Sequence, residues 1–159
     1  MRSKNQSALV FVLKGLIPYT KENLLLSFSP NRFFNELEKV SGYEKNTLKI
    51  AYQRAGKSGY TKTSGNRIRL TNKGLVYVQP FVATKLKNEA QLMIIFDIPE
   101  EFAYKRRLLR ELLKTWSFRQ IQKSVWVSNM DHRGAIKIAA NELEIKPFIE
   151  IFEVAKLDK

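Results

Sequence analysis

No cysteine occurs among the 159 residues, which excludes a disulfide scaffold, a thiolate zinc site and a thiol nucleophile. There is one histidine, His132. No serine is paired to it at a recognisable spacing, so the sequence offers no support for a hydrolytic triad. Beside Asp131 at an expected helix start, His132 reads as a solvated surface side chain. Long apolar runs are also missing: the best, residues 8–13, stops at Lys14, well short of the ~20 residues a membrane span needs. Residues 1–14 are too briefly apolar for a secretion signal, and no small-residue cleavage site follows. A cytoplasmic location with no membrane partner is the expectation. The 44% hydrophobic content allows a real core and excludes wholesale disorder. The length suits one domain or two small ones.

The most telling scarcity is of negative charge in the first half. Residues 1–87 hold 16 Lys/Arg and four Asp/Glu, whereas residues 88–159 hold 12 and 11. Residues 45–88 carry ten cations and no acid. Charge serving only solubility would be mixed in sign and spread over both halves. Concentrated in one half, it points to a polyanion, and nucleic acid is the commonest. An anionic membrane competes for that reading, but the basic segments lack the Trp/Phe/Leu face of an interfacial helix.

Local signals place these cations. Residues 8–16 form a short apolar helix ended by Pro18, and Thr20 can cap another over residues 21–28. Ser29-Pro30 opens a helix that aligns Phe33, Phe34, Leu37 and Val40, and Gly42 closes it. After a three-residue turn, residues 45–58 repeat the spacing with Leu48, Ala51, Tyr52 and Ala55, up to Gly59. Two helices joined by a tight glycine-containing turn make a helix-turn-helix candidate. The opposite face of the last helix holds Lys45, Asn46, Lys49, Gln53, Arg54 and Lys57. Lys and Arg suit phosphates and guanine, while Asn and Gln suit adenine edges. Ser64-Gly65-Asn66 then turns a hairpin whose tip and second strand carry Lys62, Arg67 and Arg69. Leu70-Thr71-Asn72-Lys73-Gly74 opens the next short element. This order is that of a winged helix, whose helix enters the major groove and whose wing touches the backbone or minor groove. Gly56-Lys57-Ser58 imitates the end of a phosphate loop, but Ala51 stands where that loop needs glycine and no strand precedes it.

From residue 88 the periodicity changes. Residues 85–89 read as a polar linker, and residues 92–98 as a strand with Leu92, Ile94, Phe96 and Ile98 on one face and Met93 and Ile95 on the other. Pro99-Glu100-Glu101 starts a helix with acids in its first turn, burying Leu108, Leu109, Leu112, Leu113 and Trp116. Strands at 118–122 and 124–128, a helix at 131–144 and a strand at 148–154 complete a β-α-β-β-α-β order, that of the ferredoxin-like fold. Trp116 and Trp126 stand at apolar positions and read as core rather than base-stacking platforms. A sheet of this kind carries helices on one face only, yet residues 92–95 and Phe148, Ile149, Ile151 and Phe152 are apolar on both sides. A second copy of the chain is expected to cover the open face.

Three segments carry a family resemblance: Met-Ile-Ile-Phe-Asp-Ile-Pro-Glu-Glu at 93–101, Arg106-Arg107-x-x-Arg110-x-x-Leu113, and Phe-Arg-Gln-Ile-Gln-Lys-Ser-Val-Trp-Val-Ser at 118–128. They resemble the middle domain of PaaX-type repressors, which pair a winged helix with a ferredoxin-like module similar to the second CRISPR-associated protein. Two departures stand out. The chain stops where longer PaaX-type proteins continue, so their acyl-CoA effector is not carried over. Trp116-Ser117-Phe118 replaces a more usual Leu-Gly-Phe.

The expectation is therefore an α+β chain: a winged helix-turn-helix DNA-binding domain at 1–84 and a ferredoxin-like dimerisation domain at 90–159. It would act as a dimeric, sequence-specific transcriptional regulator on double-stranded DNA, without a cofactor or catalytic residues. Lys45, Asn46, Lys49, Gln53, Arg54, Lys57, Lys62, Arg67, Arg69 and Lys73 form its expected contact set. The alternative is a metal-dependent nuclease or adaptation-like scaffold acting on RNA or DNA. In it, Asp97, where the CRISPR-associated family places a metal-binding aspartate, would hold Mg²⁺.

Overall fold

A computed structural model describes residues 6–17, 29–64 and 67–155, and the chain divides into two compact units, Met1–Phe81 and Val82–Lys159. In the first, helix α1 (Ala8–Gly15) starts at Ser7, whose hydroxyl accepts the Val10 N–H at 3.4 Å. It packs against α2 (Pro30–Ser41), α3 (Lys45–Lys57) and α4 (Asn72–Val78). Val12, Leu13, Leu16, Phe33, Leu37, Leu48 and Ala55 form the buried centre. Edge-on contacts of Phe33 with Phe34 and of Phe34 with Tyr52 extend it. The helix expected at residues 21–28, with its cap Thr20, lies outside the described residues.

Pro30 occupies the first turn of α2 as expected, but the Ser29 side chain makes no capping bond. Val40 is 66% exposed, contrary to the inward face read for it. The buried line instead follows the i, i+4 ridge from Phe33 through Leu37 to Ser41, whose hydroxyl accepts the Tyr43 N–H at 3.2 Å. Strands β1 (Thr61–Ser64) and β2 (Arg67–Leu70) form an antiparallel hairpin after α3. The turn residues Gly65 and Asn66 lie outside the described residues.

The second unit contains β3 (Gln91–Phe96), α5 (Ala103–Thr115), β4 (Arg119–Gln122), β5 (Val125–Ser128), α6 (Arg133–Glu142) and β6 (Ile149–Val154). Its sheet runs β4-β5-β3-β6 with every neighbour antiparallel, the ferredoxin-like arrangement. Along β3, Leu92, Ile94 and Phe96 are buried while Met93 and Ile95 are half-covered. Leu109, Leu113, Trp116, Ile136, Ala139 and Ala140 supply the helical side of the core. Leu108 and Leu112, expected there as well, are only half-buried, because a 13-residue helix on one sheet face buries the narrower 109–113–116 line.

Two expectations are overturned here. Residues 85–89 are not free linker: Lys85 bridges Met130, and the Leu86 N–H donates to the Asn129 carbonyl at 2.8 Å, burying the Leu86 side chain. His132 is 1% exposed rather than solvated. Its ring stacks on Trp116 with centroids 5.3 Å apart and also meets Phe118.

Candidate nucleic-acid interface

The loop between α2 and α3 sets the orientation of the basic helix. Gly42 ends α2 at φ +69°, a left-handed conformation that costs glycine little. Two residues on, Glu44 occupies the N-cap of α3 but makes no side-chain cap bond. Glu38 does this instead: its carboxylate accepts the Lys45 backbone N–H at 2.8 Å, so one helix caps the next. At the other end of α3, the Gly59 N–H donates to Gly56 O at 3.0 Å and the Tyr60 N–H to Ala55 O at 2.9 Å, a Schellman closure with Gly59 at φ +73°.

Between these ends, Leu48, Ala51 and Ala55 face the core and Tyr52 is half-buried. Burial raises the Tyr52 phenol above its ordinary value of 10.0. Asn46, Lys49, Gln53, Arg54 and Lys57 are exposed, with Lys45 half-buried at the first turn. Five of the expected contact residues thus share one solvent-facing side of one helix.

The hairpin follows this helix directly in the chain. Its register sets Lys62 opposite Arg69 and Ser64 opposite Arg67, and the Lys62 and Arg69 side chains are exposed. Like charges directly across a two-stranded ribbon repel, and an anion lying over the pair would relieve that repulsion. Among the described residues, no ion pair involves Lys49, Arg54, Lys57, Lys62 or Arg69.

Lys73 serves a more local purpose. Its ammonium donates to the Ser58 carbonyl at 2.9 Å and lies 5.0 Å from the centre of the Tyr60 ring. Thr71 caps α4 by accepting the Gly74 N–H at 3.1 Å, and its own hydroxyl donates to Gly59 O at 2.7 Å. A Cβ at position 74 would collide with the Tyr60 carbonyl. The Leu-Thr-Asn-Lys-Gly segment is therefore a clamp that fixes the hairpin to the end of the basic helix.

In the second unit, Asp97 follows β3 with an exposed side chain, and its backbone N–H donates to Phe148 O at 3.0 Å. Among the described residues, no group of three or more His, Asp or Glu side chains is placed to hold a metal ion together. A cleft of about 520 Å³ opens beside Asp97, lined by Arg106, Arg110, Lys114, Lys123 and Trp126 among others. From sequence Trp126 reads as core, and the four cations carry no binding role. The signal was present in α5, where Arg106, Arg110 and Lys114 recur at i, i+4 and i+8.

A helical unit with a wing-like hairpin, followed by a four-stranded antiparallel sheet carrying helices, defines the class of this α+β chain. The model of the PaaX protein central Cas2-like domain matches residues 88–159. Over those residues, which make up most of the second unit, the chain is similar to that domain. No curated protein matches the chain. Among the described residues, no helix is long and apolar enough to cross a membrane.

Proposed function

We propose that this chain is a dimeric, sequence-specific DNA-binding transcriptional regulator. The observation that carries the reading is the outward side of α3, where Lys49, Gln53, Arg54 and Lys57 stand exposed and free of ion pairs among the described residues. In this reading α3 enters the major groove with Asn46 and Gln53 toward base edges, while Lys45, Lys49, Arg54 and Lys57 meet phosphates or guanine. Lys62, Arg67 and Arg69 take the flanking backbone, and Lys73 holds the wing in place while adding charge.

The partner copy would sit on the open sheet face. Met93 on β3 lies opposite Phe152 on β6, which is 41% exposed, and Ile95 stands two residues along the same face. A stable interface of this kind buries about 800 Å² per partner. Dimerisation there would set the spacing of two half-sites.

Duplex affinity measured against salt tests the reading. If each subunit neutralises about four phosphates, log K falls against log salt with a slope of roughly −7 for the dimer. Selection from a random duplex pool should enrich one inverted repeat. A flat salt dependence, or a pool that stays random, would exclude the regulator. Cleavage of labelled nucleic acid in Mg²⁺, abolished by Asp97→Asn, would put the nuclease alternative in its place.

A further inference from the structure

The cleft beside α5 is built from elements distant in sequence. Arg106, Arg110 and Lys114 come from α5, Gln120 from β4, Lys123 and Ser124 from the β4–β5 turn, and Trp126 from β5, with Asp97 the single acid on the wall. Two of its cations are already engaged. Arg106 bonds Glu100 at 2.6 Å and the Ile98 carbonyl at 3.0 Å, and Lys114 bonds Glu111 at 2.9 Å.

Arg110 and Lys123 are different. Arg110 spends one terminal nitrogen on the Lys123 carbonyl at 3.3 Å and lies 5.7 Å from the centre of the Phe96 ring, with no carboxylate partner among the described residues. Its Nε–H is shut off from solvent and has no hydrogen-bond partner among the described residues. The indole Nε1–H of Trp126, a residue only 2% exposed, is likewise buried and without a partner among them. Buried donors of this kind are rare and costly. Two of them on residues lining one basic cleft mark a place where an acceptor-rich group would complete the structure.

We propose that this cleft binds a small phosphorylated molecule, its phosphoryl oxygens accepting from Arg110, Lys123 and the Trp126 indole, with Ser124 and Gln120 beside them. A phosphoryl group offers several strong acceptors to a guanidinium and an ammonium at once. The unsatisfied donors are screened from solvent. A ligand oxygen reaches them only if the Arg110 and Trp126 side chains shift toward the cleft, a movement that the Trp126 emission would report. The site lies wholly within the second unit and stands independently of the reading of α3.

Thermal unfolding of the full chain and its tryptophan emission, followed with sodium diphosphate or inorganic phosphate against sodium chloride at equal ionic strength, test this. Diphosphate should raise the unfolding midpoint above the chloride control and change the emission of Trp126. Arg110→Gln should weaken binding by roughly tenfold or more. Lys123→Gln, at an exposed position that does not endanger folding, should weaken it several-fold. In Trp116→Phe the emission response should persist, and in Trp126→Phe it should vanish. Equal midpoints in phosphate and chloride would overturn the proposal, as would undiminished diphosphate binding by both Arg110→Gln and Lys123→Gln. So would a cleft inert to diphosphate whose Lys123→Gln variant loses duplex affinity, because the cleft would then be a DNA contact.

Discussion

The two units use the same cationic side chains in opposite ways. In the second unit Lys105 pairs with Glu144, Arg106 with Glu100, Lys114 with Glu111, and Arg133 with both Asp131 and Glu153. In the first, Lys39–Glu36 is the one ion pair among the described residues, and Lys45, Lys49, Arg54, Lys57, Lys62 and Arg69 have none there. Surface pairs stabilise little individually, but they cancel the local field. A partner polyanion therefore meets positive potential where acids are missing, rather than wherever Lys and Arg are numerous. In the proposed reading, net charge sets the kind of partner, a polyanion, and the distribution of acids sets the surface it would meet.

The hardest test of this contrast is a matched pair of double substitutions. Lys49→Ala with Arg54→Ala should cost roughly 2–4 kcal/mol in duplex binding and leave the fold intact, both residues being exposed. Lys105→Ala with Arg133→Ala removes as much charge from the second unit and should change affinity far less. Equal losses in titrations at one salt concentration would erase the distinction between the units. Loss of fold in the first double variant would show that the outward side of α3 has been misplaced.

Glycine supplies a second contrast. Gly74 lies against the Tyr60 carbonyl, whereas Gly134, near the start of α6, has open space where a Cβ would go. Gly74→Ala should destabilise the chain by about 1–3 kcal/mol. It should also loosen the hairpin, since it breaks the clamp joining the hairpin to α3. Gly134→Ala should be neutral or stabilising by up to about 1 kcal/mol, because it relieves helix entropy without a clash. Denaturant midpoints of the two variants shifting in the same direction would refute the close approach.

His132 distinguishes the units by pH. Burial lowers its pKa below the ordinary 6.5, opposed by the neighbouring Asp131 carboxylate and a backbone hydrogen bond with Trp116. The folded chain therefore resists a proton that the unfolded chain accepts. Above about 6.5 the group contributes nothing to pH dependence. As pH falls below that value stability declines, at most by about 1.4 kcal/mol per pH unit, until the folded pKa is passed. Asp131 does not interfere, because the Arg133 hydrogen bond holds its pKa below 3.8. His132 is the only histidine, so His132→Phe should flatten stability between pH 5 and about 6.5. A slope unchanged in that variant would place the titration elsewhere.

Local chemistry was legible wherever a residue's task involved its near neighbours. The alternation of Leu92, Ile94 and Phe96, Pro30 in the first turn of α2 and glycine at 42 each specify a structure within a few residues. The readings that failed depended on distant partners. His132 looked solvated beside Asp131 because nothing nearby announces that Trp116 and Phe118 close over it. Residues 85–89 looked like linker because their partners, Asn129 and Met130, arrive after three more strands and a helix. The expected contact set grouped Lys73 with the open cations, and only the fold shows its ammonium tied to the end of α3. The cleft was half visible, in the i, i+4, i+8 cations of α5, and completed only when the β4–β5 turn came alongside.

The smallest expected effect concerns how helices end. Both units close helices with the Schellman pattern, but α3 uses Gly59 at φ +73° whereas α5 uses Ser117 at φ +58°. The bonds are equivalent: the Ser117 N–H donates to Lys114 O at 2.9 Å and the Phe118 N–H to Leu113 O at 3.0 Å. Buried Phe118 and Leu113 supply the accompanying apolar contact. Serine at this position carries the steric cost of a Cβ in left-handed backbone, which glycine avoids. Ser117 is exposed, so little packing is lost on its removal. Ser117→Gly should stabilise the chain by about 1 kcal/mol or slightly less, because glycine also gains entropy in the unfolded state. Gly59→Ser should cost a similar amount at the end of α3. Calorimetric midpoints moving in opposite directions for the two exchanges would establish that one capping geometry is served by a relaxed residue in the first unit and a strained one in the second. A Ser117→Gly variant no more stable than the parent would show that the serine's cost is met by an interaction its hydroxyl makes.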